Sequence, residues 1–214
     1  MPKSLPGPLY PITHCPNPQG WDHVAFSDYL IRCGIRFFQV RDKTLPDGHL
    51  YRQLLKIRLL CREAGACFVV NDRVDMALAV EADGVHLGQD DLPAAAARRL
   101  LGEGAVIGLS THNWDQFRRG LEEPVDYLAV GPVFPTHTKA DAAPVLGLEL
   151  LRRASRSTDL PLVAIGGISV EKAPGAWQSG ARSVAVISDV AGAESPERRI
   201  RAYLERSRVR VGAT

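Results

Sequence analysis

Short runs of β-branched and apolar residues recur along the whole chain, and each is followed by a segment whose apolar positions return every three or four residues. The runs predict strands over Leu9–Thr13, Arg36–Arg41, Cys67–Asn71, Gly84–Leu87, Val106–Ser110, Tyr127–Gly131, Leu162–Gly166 and Ser183–Ile187. Between them, Leu50, Leu54, Ile57, Cys61 and Ala64 fall on one helical stripe, and Pro93–Leu101 reads as an alanine-rich helix behind Asp90 and Asp91. Eight strand-then-helix units with no long polar linker imply a parallel sheet, because parallel neighbours need crossover connections. A doubly wound open sheet and a closed barrel both accept that string. The open sheet would place a glycine-rich turn after its first strand, and Thr13-His14-Cys15-Pro16 is nothing of the kind. The expected fold is therefore α/β, a single-domain (β/α)8 TIM barrel over residues 9–207, with flexible ends at 1–8 and 208–214. One connection is long: Pro132 to Leu146 holds Pro132, Pro135 and Pro144 and little periodicity, which predicts a surface loop and a candidate lid.

Composition adds exclusions. At 214 residues, 45% hydrophobic and 23% charged, the chain is neither disordered nor of low complexity. Lys and Arg (26) nearly balance Asp and Glu (24), so nothing in the net charge of +2 predicts a nucleic-acid or membrane partner, and any bound phosphate must meet a local site. Cys15, Cys33, Cys61 and Cys67 form no CxxC pair and no zinc-like spacing with histidine, which predicts reduced, mostly buried thiols in a cytoplasmic protein. The first residues carry no apolar run for a signal peptide, and no stretch approaches membrane-spanning length. Arg198, Arg199, Arg201, Arg206, Arg208 and Arg210 near the end are read as a solvated helix face and tail, because Ile200, Tyr203 and Leu204 give that helix its apolar stripe.

In a barrel, chemistry sits at the C-terminal ends of the strands. The second strand closes on Gln39, Val40, Arg41, Asp42 and Lys43; a period of two puts Gln39, Arg41 and Lys43 on one face, a site for pyrophosphate if that face points into the mouth. A strand end reaching to solvent is the competing reading. Asn71-Asp72 ends the third strand, and Gly88-Gln89-Asp90-Asp91 follows the fourth. Asp72 and Asp91 suit a magnesium ion that completes its shell with water and phosphate oxygens, although each, taken singly, is as well explained as a helix cap. Ser110 and His112 lie at the fifth strand end, too little to make a nucleophile, and His86 reads as a satisfied interior histidine. The lid candidate carries Thr136, Thr138 and Lys139, which could close over phosphate oxygens, or form no more than a polar loop. Gly166 and Gly167 after the seventh strand would let backbone N–H groups approach an anion, together with the strand ending in Ile187-Ser188.

These motifs together, Gln39-x-Arg41-x-Lys43, Asn71-Asp72-Arg73-Val74-Asp75, Gly84 to Asp91, Ser110-Thr111-His112, Thr136-x-Thr138-Lys139 and Ala164-Ile165-Gly166-Gly167-Ile168, resemble thiamine phosphate synthase in order and spacing, from about Leu9 to Ala191. The resemblance implies an enzyme that joins 4-amino-2-methyl-5-hydroxymethylpyrimidine pyrophosphate to 4-methyl-5-(2-phosphoethyl)thiazole with Mg2+. On that resemblance Gln39, Arg41, Lys43, Asn71 and Lys139 hold the pyrimidine pyrophosphate, Asp72 and Asp91 ligate the metal, and Ser110 contacts the pyrimidine or the departing pyrophosphate. Thr136, Thr138, Gly167, Ile187 and Ser188 hold the thiazole phosphate. Its partners are small molecules, and a homo-oligomer is left open. Two departures stand out: His14 occupies a position that is acidic in the family, and Pro11 interrupts the first strand, which is expected to be short or irregular. A thiazole tautomerase using a histidine at the position of His112, or a non-catalytic barrel binding thiazole phosphate, are the rival readings.

Overall fold

The computed structural model describes residues 5–136 and 144–208. In chain order the elements are β1 (Leu9–Thr13), α1 (His23–Arg32), β2 (Phe37–Val40), α2 (Asp47–Ala64), β3 (Cys67–Asn71), α3 (Val74–Ala79), β4 (Gly84–Leu87), α4 (Ala94–Leu101) and β5 (Val106–Thr111). They continue with α5 (Trp114–Gly120), β6 (Tyr127–Val130), α6 (Gly147–Ser155), β7 (Leu162–Ile165), α7 (Ala173–Gln178), β8 (Ser183–Val186), α8 (Ser188–Ala191) and α9 (Pro196–Arg208). All neighbouring strands are parallel, and β8 pairs back to β1, closing the expected barrel. Arg41, Gly131, Gly166 and Ile187, at the expected strand tips, lie just beyond the ends of the observed strands.

Pro11 does not shorten β1, which keeps five residues. It marks a change of partner. Leu9, Tyr10 and Pro11 register with Val184, Ala185 and Val186 of β8, whereas Ile12 and Thr13 register with Gln39 and Val40 of β2. A proline lacks the N–H that a continuous two-sided ladder would use, so the break falls where that donor is missing.

Alternation along the strands divides the core in two. Phe38, Val40, Phe68, Val70, Val85 and Leu87 face the helices, while Tyr10, Ile12, Phe37, Val69, Val106, Tyr127, Ala129, Val163 and Ala185 fill the barrel interior. Leu5 also packs on the interior cluster. The Pro8 carbonyl accepts from Val184 N and from Trp177 Nε1 at 3.0 and 3.1 Å, so residues 5–8 of the expected N-terminal extension lie against the barrel floor.

Two carboxylates tie that floor. Asp83 accepts from Phe68 N (2.9 Å) and Arg58 (3.1 Å), and Asp126 accepts from Ile107 N (2.8 Å) and Arg98 (2.7 Å). Arg98 is buried and also donates to the carbonyls of Gly102, Ala105 and Pro124. Helix ends follow local chemistry: Asp22 caps α1 through Ala25 N, Asn113 caps α5 through Gln116 N, and Gly65 ends α2 at φ 62°.

The apolar stripe of α9 is as expected, with Ile200 and Tyr203 buried. Its arginines are not all solvated, because Arg199 pairs with Glu171 and Asp189 and Arg206 donates to the Val170 carbonyl. The four cysteines are free thiols, and burial pushes Cys15 up to about 11 and Cys61 up to about 12. Among the described residues no helix is long and apolar enough to cross a membrane.

Candidate active site

The C-terminal strand ends bring most of the expected residues to one mouth. β3 ends on Asn71, and the chain turns sharply at Asp72, whose φ of 61° is one of two left-handed values among described non-glycine residues. Aspartate tolerates that region better than most side chains, and such conformations gather where function holds them. The Asp72 N–H donates to the His86 carbonyl at 2.8 Å, which seats the turn on β4. The Lys43 ammonium donates to the Asp72 carboxylate. Asp91 accepts from Gly88 N at 2.7 Å, folding the β4–α4 loop inward until its carboxyl stands beside that of Asp72. Partial burial and the Asp72 carboxylate hold the Asp91 carboxyl above its ordinary range, despite the Gly88 N–H and Lys43.

The capping explanation fails for both aspartates. The N-cap position of α3 is Arg73 and that of α4 is Pro93, and neither helix has a side-chain cap bond. Arg73 instead forks between Asp47 at the start of α2 and Asp75 in α3, locking the loop that carries Asp72. Two like charges in contact are costly unless a cation shares them, and that donor set fits magnesium. Among the described residues no third His, Cys, Asp or Glu joins a metal-binding group, so water and phosphate oxygens would complete the shell.

Gln39 faces inward as expected; it is fully buried and donates to the Tyr10 hydroxyl at 2.9 Å. From there a polar chain crosses the barrel: Tyr10 Oη to Tyr127 Oη at 2.8 Å, Tyr127 Oη to His86 Nδ1 at 2.9 Å, and His86 Nε2 to Ser110 Oγ at 2.9 Å. Burial raises both tyrosines, keeping them neutral. Every proton in the chain is placed when Gln39 donates to Tyr10, Tyr10 to Tyr127, Tyr127 to His86 and His86 to Ser110; that polarity leaves the Ser110 hydroxyl proton to another acceptor. His86 is thus the satisfied interior histidine that the sequence suggests. Neither tyrosine is anticipated, although Gly108 offered a signal: a Cβ there would lie 2.1 Å from Tyr127 Cζ.

On the opposite side, Gly166 and Gly167 have φ of 96° and 61°. Both glycines are required sterically by the chain packed against them. A Cβ on Gly166 would meet Pro132 at 2.4 Å, and one on Gly167 would meet the Pro135 carbonyl at 2.1 Å. Val133 N and Phe134 N bond to the Ile165 and Gly166 carbonyls at 2.9 and 3.1 Å, so the base of the β6–α6 connection is laid along the end of β7. Leu146 N returns to the Pro132 carbonyl at 2.8 Å and closes that base. Thr136 is the last described residue before the gap, while Thr138 and Lys139 lie outside the described residues. Ile187 is half-buried, and Ser188 opens α8 exposed. His112 Nδ1 meets the Gly131 carbonyl at 2.7 Å.

Residues 9–190 match the family model described as thiamine monophosphate synthase. The chain is 43% identical to the thiamine-phosphate synthase of Pelotomaculum thermopropionicum over 92% of its length and 91% of the relative's. It is 44% identical to that of Archaeoglobus fulgidus, covering 87% of each. The solved thiamine phosphate pyrophosphorylase from Pyrococcus furiosus superposes with a TM-score of 0.86 at 36% identity, over 96% of this chain and 97% of that one. With the carboxylate pair, the cationic strand end and the glycine-backed loop base all at one barrel mouth, the chain belongs to the thiamine monophosphate synthase family.

Proposed function

We propose that the protein is a cytoplasmic, magnesium-dependent thiamine-phosphate synthase that joins the pyrimidine pyrophosphate to the thiazole phosphate and releases pyrophosphate. The observation that carries this is the contact between Asp72 and Asp91 beside Lys43, two carboxylates and a cation where a metal and a pyrophosphate would meet. Magnesium, held by Asp72 and Asp91, would supply positive charge to the leaving pyrophosphate. Arg41, Lys43 and Lys139 add fixed positive charge on the same group, favouring cleavage of the C–O bond with its electron pair going to pyrophosphate. The aminopyrimidine ring stabilises the methylene cation left behind, and the thiazole nitrogen then forms the new C–N bond. Asn71, Gln39 and Ser110 orient the pyrimidine. Thr136, Thr138, Gly167, Ile187 and Ser188 hold the thiazole phosphate, and the β6–α6 connection excludes water from the cation.

The test is product formation by the purified protein from both substrates with and without magnesium. Thiamine phosphate and pyrophosphate appearing in equal amounts only with the metal is the expected result. Binding of thiazole phosphate with no pyrophosphate released would overturn the enzyme reading.

A further inference from the structure

β2 leaves the ladder at Val40, so Arg41 and Lys43 sit on a segment that the sheet no longer holds. Between them, Asp42 turns to the start of α1. Its side chain is only 2% exposed and meets His23 Nε2 at 2.8 Å; His23, the first residue of α1, has a fully buried side chain. His23 Nδ1 meets Thr13 Oγ1, at the end of β1, at 2.7 Å. The second oxygen of Asp42 accepts from Thr44 N and Leu45 N, both at 2.6 Å. Held by Thr13 and Asp42, the imidazole is fixed from both sides, and the His23 backbone N–H donates to Gln53 of α2 at 3.0 Å.

A carboxylate accepts only, so Nε2 carries the proton toward Asp42, and in the neutral ring Thr13 donates to Nδ1. The row faces the helical layer, behind the barrel wall, and so cannot reach a substrate in the mouth. Resting on the functional reading above, we infer that Thr13, His23 and Asp42 form a strut that sets the position of Arg41 and Lys43, making His23 and Asp42 positioning residues for the pyrophosphate half of the reaction. A buried row of paired polar groups is rigid when complete, and losing one member leaves the others unsatisfied. Its action is local: it touches the β2–α2 segment and not the β6–α6 base or the β7 and β8 ends that would hold the other substrate.

The experiment compares the two substrate sites in the full-length protein. Steady-state KM is measured for each substrate, and binding of inorganic pyrophosphate with magnesium is followed by calorimetry, in wild type, His23→Leu, His23→Gln and Thr13→Val. His23→Leu is expected to weaken pyrimidine pyrophosphate and magnesium pyrophosphate about tenfold, the equivalent of one lost net hydrogen bond, while thiazole phosphate moves less than about twofold. His23→Gln, which can still present an N–H to Asp42, is expected to recover most of the loss. Equal weakening at both sites, or none at the pyrophosphate site, would overturn the strut. If His23→Leu does not fold, Thr13→Val decides by the same ratio and is expected to weaken pyrophosphate selectively, with His23→Gln staying close to wild type. Wild type that binds magnesium pyrophosphate but makes no thiamine phosphate would refute the functional reading and leave the binding arm to judge the strut.

Discussion

Replacing Asp91 by Asn should separate stability from function in opposite directions. Asp91 is held above its ordinary carboxyl range by partial burial and by Asp72 beside it. A carboxyl raised in the folded state binds its proton more tightly there than in the unfolded chain. Stability therefore falls as pH rises from the unfolded value toward the folded one, and at neutral pH the ionised group is a net cost to the fold. Asn removes that charge, and its amide oxygen can still accept from Gly88 N, the bond that shapes the loop. The site is partly exposed, so the gain should stay within the roughly 0–1 kcal/mol of screened surface pairs. In a domain this size that is a Tm rise of no more than about 2–4 °C. Turnover should move the other way: loss of one carboxylate from a two-carboxylate metal site removes pre-organised stabilisation of about 2.7–4 kcal/mol, a hundredfold or more. Differential scanning calorimetry at pH 7 and magnesium-dependent initial rates read the two effects. Asp91→Ala, which also deletes the acceptor for Gly88, should lose about 1 kcal/mol relative to Asn. A clear drop in Tm for the Asn variant, or turnover near wild type, would refute the reasoning.

Arg41→Ala should leave the fold intact, since Arg41 is only half-buried, and reduce turnover about a hundredfold or more, read in the same rate assay. Gly108→Ala drives a Cβ to 2.1 Å from Tyr127 Cζ, and urea unfolding should show a loss at or beyond the roughly 1–3 kcal/mol of core overpacking. Asp126→Ala strands the buried Arg98 guanidinium and Ile107 N, so chemical denaturation should record a loss of about 3–5 kcal/mol, with activity per folded molecule unchanged.

The strand order was open to sequence reading because each run of Val, Ile, Leu and Phe is short, bounded and followed by a helical period. The same period of two put Lys43 on the side where it meets Asp72. The contacts of Lys43 with Asp72 and of Asp72 with Asp91 did not follow from that period, since they depend on two loops turning inward, one through a left-handed backbone at Asp72 and one through the Gly88 N–H. Gln39 was read by face but not by depth, and alternation carries no information on depth. The interior tyrosines were hidden for another reason: Tyr10 and Tyr127 look like ordinary strand aromatics until closure brings strands one and six across the barrel from each other. Gly166 and Gly167 show one residue type serving two purposes. Glycine permits an anion or a neighbouring backbone to come close, and the approach of Pro132 and Pro135 could not be read from the sequence.

The change of partner at Pro11 also orders events during synthesis. The lower half of β1, Leu9 to Pro11, pairs only with Val184 to Val186. At about 5–20 residues per second on the ribosome, that partner emerges on the order of ten to thirty seconds after the strand itself. Throughout that interval Leu9 and Tyr10 belong to a nascent chain whose first strand is unfinished. A chaperone that shields the emerging N-terminus, or a rare codon that lengthens the wait, would therefore act on the seam of the barrel, while the Ile12–Thr13 end can join β2 almost as soon as it is made.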